Sequence, residues 1–249
     1  KQLSGAIPLI GTDLEKITKN EIEVEIFPNR PDMLSEEGFA RALSSFLGIK
    51  TGLKAYKVNK SNYKYKVDSK VKRIRPYCTA AIVKGLKFDK VSLAAIMNLQ
   101  DKLHTTHGRN RKKVAMGVHD LSKIKFPLTY TTKPKSFKFR ALEDKQEKTI
   151  QKILEEHPKG KDYAHLLNKS EVPIWMDANN QVLSMPPIIN SEETKVTLNT
   201  KEVFLDITGT DPIAMDQALN ILVTALADRG GKIYTVNKTP NLNPKKIKI

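Results

Sequence analysis

The stretch VFLDITGTDPIAMDQALNILVTALADRGG, residues 203–231, leaves the fold little freedom. Val203 to Thr208 reads as a strand, with Val203, Leu205 and Ile207 on one face and Phe204, Asp206 and Thr208 on the other. Asp211 is placed to cap the helix that Pro212 opens, and Gly230–Gly231 closes it. A strand passing so directly into an apolar helix fixes a sheet with that helix packed on it. Asp206 is then the odd residue, a carboxylate beside a phenyl ring with no capping duty. Two readings stay open: it accepts local N–H groups or faces water, or it waits for a ligand's donor.

The other segments supply a mixed set of elements. EIEVEIF (21–27) alternates as a half-buried strand. SEEGFARALSSFLG reads as a helix capped by Ser35, with Phe39, Leu43, Phe46 and Leu47 apolar and Gly48 as its stop. Lysine-rich residues 50–72, with YKYKV as a short strand, mark a boundary. Beyond it come a strand at 77–86, a helix at 91–108, and a strand in VAMGVHDL followed by PLTYTT. A broken helical segment surrounds TIQKILEEHPKGKDYAHLL, and VPIWMDANNQVLSM reads as a hairpin. KIYTV (232–236) is the last strand, and TPNLNPKKIKI reads as a linker. Strands and helices without a βαβ rhythm predict an α+β fold: a small N-terminal α/β element over 1–68, a larger mixed α+β domain over 69–238, and a linker over 239–249.

Composition narrows the partners without choosing one. A net charge of +16 attracts polyanions, but the lysines are spread along the chain, so a basic surface without RNA reads equally well. The single cysteine, Cys78, sits in the apolar run YCTAAIV, where a buried small hydrophobe and a reducing cytoplasm fit. No Cys/His spacing suits a structural metal and no apolar run is long enough to span a membrane. No GxSxG, HExxH or GxxxxGK pattern occurs, which argues against those nucleophilic, metalloprotease and phosphate-loop chemistries.

Two further stretches could carry chemistry. In VLSMPPIINSEET, Pro186 and Pro187 force the backbone out of its ladder, and Ser184 and Asn190 flank the break beside Ile188 and Ile189. That composition suits a small apolar slot, or simply a stiffened bend. In HTTHGRNRKKVAMGVHD, Arg109, Arg111, Lys112 and Lys113 form a basic turn, either a phosphate contact or a solvated loop. His104 and His107 stand near a helix C-terminus, where positive charge meets the last carbonyls, and His119 ends a buried strand.

EIEVEIFPNRPDMLSEEGFARAL, NLQDKLHTTHGRNRKKVAMGVHDL, HPKGKDYAHLL, QVLSMPPIINSEET and VFLDITGTDP, in that order, together resemble the β subunit of phenylalanyl-tRNA synthetases of the archaeal and eukaryotic type. The resemblance implies an N-terminal fragment with a tRNA-editing module that hydrolyses tyrosyl-tRNA(Phe). It assigns Asp206 and Thr208 to the side-chain pocket, with Leu183, Ser184, Pro187 and Asn190 opposite. Asn190 and Thr208 become candidates to hold the ester end or a water, His119 a weaker one, and Arg109, Arg111, Lys112 and Lys113 candidates for tRNA contact. It also implies tRNA(Phe), free or esterified tyrosine or phenylalanine, and a synthetase α subunit as partners, a cytoplasmic setting, no membrane, and no cofactor in this fragment, ATP and Mg being expected only for the whole synthetase. The alternative on the same resemblance is a non-catalytic tRNA-docking scaffold.

Overall fold

The computed structural model describes residues 2–239; the linker read over 239–249 lies outside them except for Thr239. Along the chain run α1 (Gln2–Ala6), β1 (Thr12–Ile17), β2 (Ile22–Ile26) and α2 (Glu36–Phe46). Next come β3 (Val58–Asn59), β4 (Lys64–Val67), β5 (Tyr77–Lys84), α3 (Lys90–Thr105), β6 (Val114–Asp120) and β7 (Leu128–Pro134). They are followed by β8 (Lys138–Phe139), β9 (Lys148–Thr149), α4 (Ile150–Glu156) and α5 (Pro158–Tyr163). The chain continues through β10 (Glu171–Met176), β11 (Val182–Met185), β12 (Ile189–Asn190), β13 (Glu202–Gly209), α6 (Pro212–Asp228), β14 (Lys232–Thr235) and β15 (Asn237–Thr239). The fold is α+β, as the sequence predicts.

Two sheets make its centre, one in the order β3-β14-β5-β13-β6 and one in the order β12-β11-β10-β7-β4-β15. The period-two pattern of β13 explains how they stack. Val203, Leu205 and Ile207 pack with Leu99, Leu103, Leu219 and Leu222, so α3 and α6 cover one face of the first sheet. Phe204, on the opposite face, packs with Trp175, Tyr130 and Leu183 of the second sheet. The far side of that second sheet carries Ile174, Val182 and Met185 against Ile150 and Ile153 of α4. The result is helices, sheet, sheet, helices, with three apolar layers. Asp206 shares the face of Phe204 and therefore points between the sheets.

The N-terminal element has its own small core of Ile7, Ile10, Met33 and Leu43, with Leu14, Val24, Ile26 and Phe39 against it. Ser35 caps α2 by accepting the Gly38 N–H at 3.0 Å. The expected apolar rows are only partly covered: Ile22 and Phe46 stay 42% and 50% exposed. Asp228, an acid at the unfavourable end of α6, ties this element down by accepting from Arg41 at 2.9 Å and Lys54 at 2.5 Å. The boundary read at 68/69 is not where the sheets begin. β3 pairs with β14 and β4 pairs with β7, because Tyr65 fills the layer beside Trp175. Cys78 is half-buried there, and burial pushes its thiol up to about 12, so it stays protonated.

Candidate functional site

Asp206 stands 1% exposed, opposite Gly117 of β6 and Ala80 of β5 in the ladder. Its Oδ2 accepts the Nε2–H of His119 at 2.7 Å and the hydroxyl of Ser184, from the other sheet, at 3.1 Å. His119 is fully buried, and its Nδ1 is hydrogen-bonded to the Thr194 hydroxyl at 2.8 Å. Gly117 is the residue that admits this cluster. A Cβ there would lie 2.3 Å from Asp206 Oδ2 and 2.5 Å from His119 Nε2. Both donors fall on Oδ2, which leaves the second oxygen of the carboxylate for another partner.

Asp206 lines a cavity of about 220 Å³. The cavity follows the free edge of β6, where the first sheet ends and β12 of the second diverges from it. Apolar walls come from Met97, Met116, Ile188 and the cis Pro186–Pro187 step, at which the chain leaves β11 as the sequence predicts. The outward backbone of β6 is satisfied by side chains. Gln100 Nε2 donates to Met116 O at 2.8 Å, the Met116 N–H donates to His104 Nε2 at 2.8 Å, and Asn190 Nδ2 donates to Val118 O at 3.4 Å. Burial drives the His104 imidazole down to about 4, so it is neutral near pH 7. Asp101, one turn earlier, is held below the usual carboxyl range by His104, Lys159 and Arg111.

Of the residues read from the sequence, Ser184, Pro187, Asn190 and Asp206 line one cavity. Leu183 does not: it is fully buried against Trp175 and Phe204 between the sheets. Thr208 does not either, since its hydroxyl accepts Arg75 Nε at 2.9 Å in a buried contact away from the cavity. His119 stands behind the carboxylate and reaches the cavity only through it. The basic turn divides. Arg109 and Lys112 are exposed, Lys113 pairs with the helix-capping Asp211 at 2.9 Å, and Arg111 is buried in the cavity wall. Its guanidinium donates to Ile188 O at 2.7 Å and covers the Tyr163 ring at 4.4 Å, which withdraws it from any phosphate. The histidines at the end of α3 do not meet its last carbonyls as expected: His104 is neutral and accepts the Met116 N–H, and His107 Nε2 donates to Ala214 O of α6.

The sequence does not single out Gly117, Gln100 or Asp101, and it places His104 at a helix end rather than in a cavity wall. Met97, Asp101 and His104 are spaced i, i+4 and i+7 along α3, so the stripe was present in the sequence but indistinguishable from a helix's solvated edge. Among the described residues no group of three or more His, Cys, Asp or Glu side chains is placed to hold a metal ion, and no helix is long and apolar enough to cross a membrane.

Comparison with known proteins places this geometry. Residues 60–240 match the family model of the B3/4 domain. A phenylalanine–tRNA ligase β subunit from Archaeoglobus fulgidus is 44% identical over 252 residues, covering 98% of this chain and 46% of that protein. The counterpart from Pyrococcus horikoshii is 48% identical over 231 residues, covering 89% of this chain and 42% of that protein. The chain thus spans about half the length of the curated relatives it matches. The crystal structure of an N-terminal fragment of the phenylalanyl-tRNA synthetase β-subunit from Pyrococcus horikoshii superimposes with a TM-score of 0.90 at 43% identity, over 98% of this chain and 75% of that one.

Proposed function

Because this chain belongs to the phenylalanine–tRNA ligase β-subunit family and carries its B3/4 domain, we propose that its cavity receives the tyrosyl group of mischarged tyrosyl-tRNA(Phe) and hydrolyses the ester, as an editing site. The observation that carries this reading is the placement of Asp206: a buried carboxylate in the wall of a small cavity of mixed apolar and polar lining, held by two donors on one oxygen. Tyrosine and phenylalanine differ by one phenolic hydroxyl. A pocket shaped for phenylalanine rejects such an added hydroxyl weakly, whereas a site built to bond the hydroxyl rejects the analogue that lacks it. Phenylalanine in this cavity leaves a desolvated acceptor unpaired, a cost of about 1–3 kcal/mol, or roughly 5- to 150-fold in binding.

Hydrolysis also needs the ester and a water held together. Asn190, Gln100 and Asp101 line the cavity with Asp206 and are less buried than it, and these polar groups orient the ester end. The attacking water is positioned rather than strongly activated, with the terminal ribose hydroxyl or the substrate's amine assisting. tRNA(Phe) and a synthetase α subunit are the partners this reading requires. The exposed Arg109 and Lys112 supply positive charge beside the cavity-lining end of α3.

The test is deacylation of tyrosyl-tRNA(Phe) and phenylalanyl-tRNA(Phe) by the wild-type chain and by Asp206→Asn. The wild type clears the tyrosyl ester preferentially, and the variant loses about fivefold or more of that preference. Equal preference in the two proteins overturns the assignment of Asp206, and no deacylation by the wild type supports the non-catalytic docking alternative. A substrate whose terminal ribose lacks its free hydroxyl is cleaved more slowly; an unchanged rate removes that group from the mechanism.

A further inference from the structure

The turn between α3 and β6 is built against its own backbone preferences. Arg109, Asn110 and Arg111 have φ of 49°, 51° and 67°, so three consecutive non-glycine residues lie in the left-handed region. Side chains make that conformation costly, and such strain persists only where the surroundings over-determine it. What the turn delivers is Arg111. Its Nη1 donates to Ile188 O at 2.7 Å and Pro187 O at 3.3 Å, fastening the proline wall of the cavity to the end of α3.

A second buried arginine holds the turn itself. Arg75 is 4% exposed. It donates from Nη2 to Arg111 O at 3.1 Å and from Nη1 to Lys112 O at 3.3 Å. Toward β13 it donates from Nη2 to Thr208 O at 2.8 Å and from Nε to the Thr208 hydroxyl at 2.9 Å. All four bonds end on neutral oxygens, although burying a guanidinium carries a heavy desolvation cost. Both costs meet at one place, two residues along β13 from Asp206. Arg75 ties that strand to the turn, and Arg111 ties the turn to Pro187.

We propose that Arg75 is a positioning residue of the cavity: it locks the left-handed turn onto β13, so that the wall held by Arg111 stands at a fixed distance from Asp206. The kinetic consequence rests on the editing reading; the structural one does not.

The experiment compares the wild-type chain, Arg75→Met, Arg75→Lys, and Arg75→Met combined with Asn110→Gly. Amide hydrogen exchange follows the N–H groups of Arg111 and Lys113, which bond to His104 O and Gly108 O. Steady-state deacylation of tyrosyl-tRNA(Phe) gives kcat and KM. Loss of the Arg75 donors raises exchange at these two amides about tenfold or more while β5 stays protected, and lowers kcat/KM about tenfold, mainly through KM. Asn110→Gly restores most of both losses, because glycine enters the left-handed region without strain. Arg75→Lys keeps the charge but cannot span both carbonyls and the strand, so it loosens the same two amides even where Arg75→Met fails to fold. Wild-type exchange in Arg75→Lys, or a loss in Arg75→Met that Asn110→Gly does not relieve, overturns the proposal. A wild-type chain that leaves tyrosyl-tRNA(Phe) intact overturns the editing reading, and the exchange arm then decides the role of Arg75 by itself.

Discussion

His119 and Asp206 meet across neighbouring strands, the imidazole Nε2–H donating to the carboxylate at 2.7 Å where both side chains are almost wholly shut from water. Ser184 donates to the same oxygen from the opposite sheet. Two sheets therefore agree on the position of one carboxylate before any ligand arrives, which is the preorganisation that recognition of a single hydroxyl demands.

Removing the carboxylate should expose how much of the packing depends on it. Asp206→Ala strands two buried donors, His119 Nε2–H and the Ser184 hydroxyl, and should cost about 2–5 kcal/mol. Asp206→Asn keeps an acceptor and should cost less. Urea unfolding gives both values, and an alanine variant as stable as the asparagine one contradicts the shared-acceptor geometry.

Gly117→Ala places a methyl 2.3 Å from Asp206 Oδ2 and 2.5 Å from His119 Nε2. Neither neighbour is the free end of a flexible side chain, so the pair must separate. The expected cost is about 1–3 kcal/mol of overpacking, with loss of the preference for tyrosine. An alanine variant with wild-type stability and selectivity shows that the pair is looser than its distances state.

The acid limb of the stability curve should carry the signature of His104. Its folded-state value is lowered to about 4 by burial, while in the unfolded chain it titrates near its ordinary value of 6.5. Between those values the unfolded chain binds the extra proton, so stability rises with pH and is lost as pH falls from about 6.5 to 4. The loss is about 3 kcal/mol in full. Asp101 and Arg111 are the charged groups beside the ring. His104→Gln, whose amide oxygen can still accept the Met116 N–H, should flatten that limb; an unchanged slope in the variant assigns it to other groups.

What was legible in the sequence follows from how local each cause is. The alternation in β13, the Asp211 cap and the proline break at Pro186–Pro187 are set by neighbouring residues, and each is found where it was read. Leu183, Thr208 and Arg111 were misplaced because their surroundings come from distant segments. Leu183 is claimed by Trp175, Thr208 by Arg75, and Arg111 by the carbonyls of Pro187 and Ile188. Gly117 gave no signal of its own, since only the register opposite Asp206 makes a missing side chain necessary. The placement of β4 in the second sheet was hidden for the same reason, its partners lying sixty residues and more further along the chain.

The basic turn should divide in solution as it does in space. Neutralising the exposed Arg109 and Lys112 should lower the salt dependence of tRNA binding by about 0.7–0.9 in log–log slope for each phosphate that they neutralise. Arg111→Gln should leave that slope unchanged and instead weaken the cavity wall. A slope that falls with Arg111→Gln means that its guanidinium leaves Ile188 O for the nucleic acid.

The central claim is that Asp206 waits for a phenolic oxygen. Titration calorimetry with two non-hydrolysable amides, adenosine carrying a 3′-tyrosylamido or a 3′-phenylalanylamido group, tests it most directly. The account predicts that the tyrosyl compound binds wild-type chain at least about fivefold more tightly, with the difference gone in Asp206→Asn. Equal affinity of the wild type for the two compounds contradicts it.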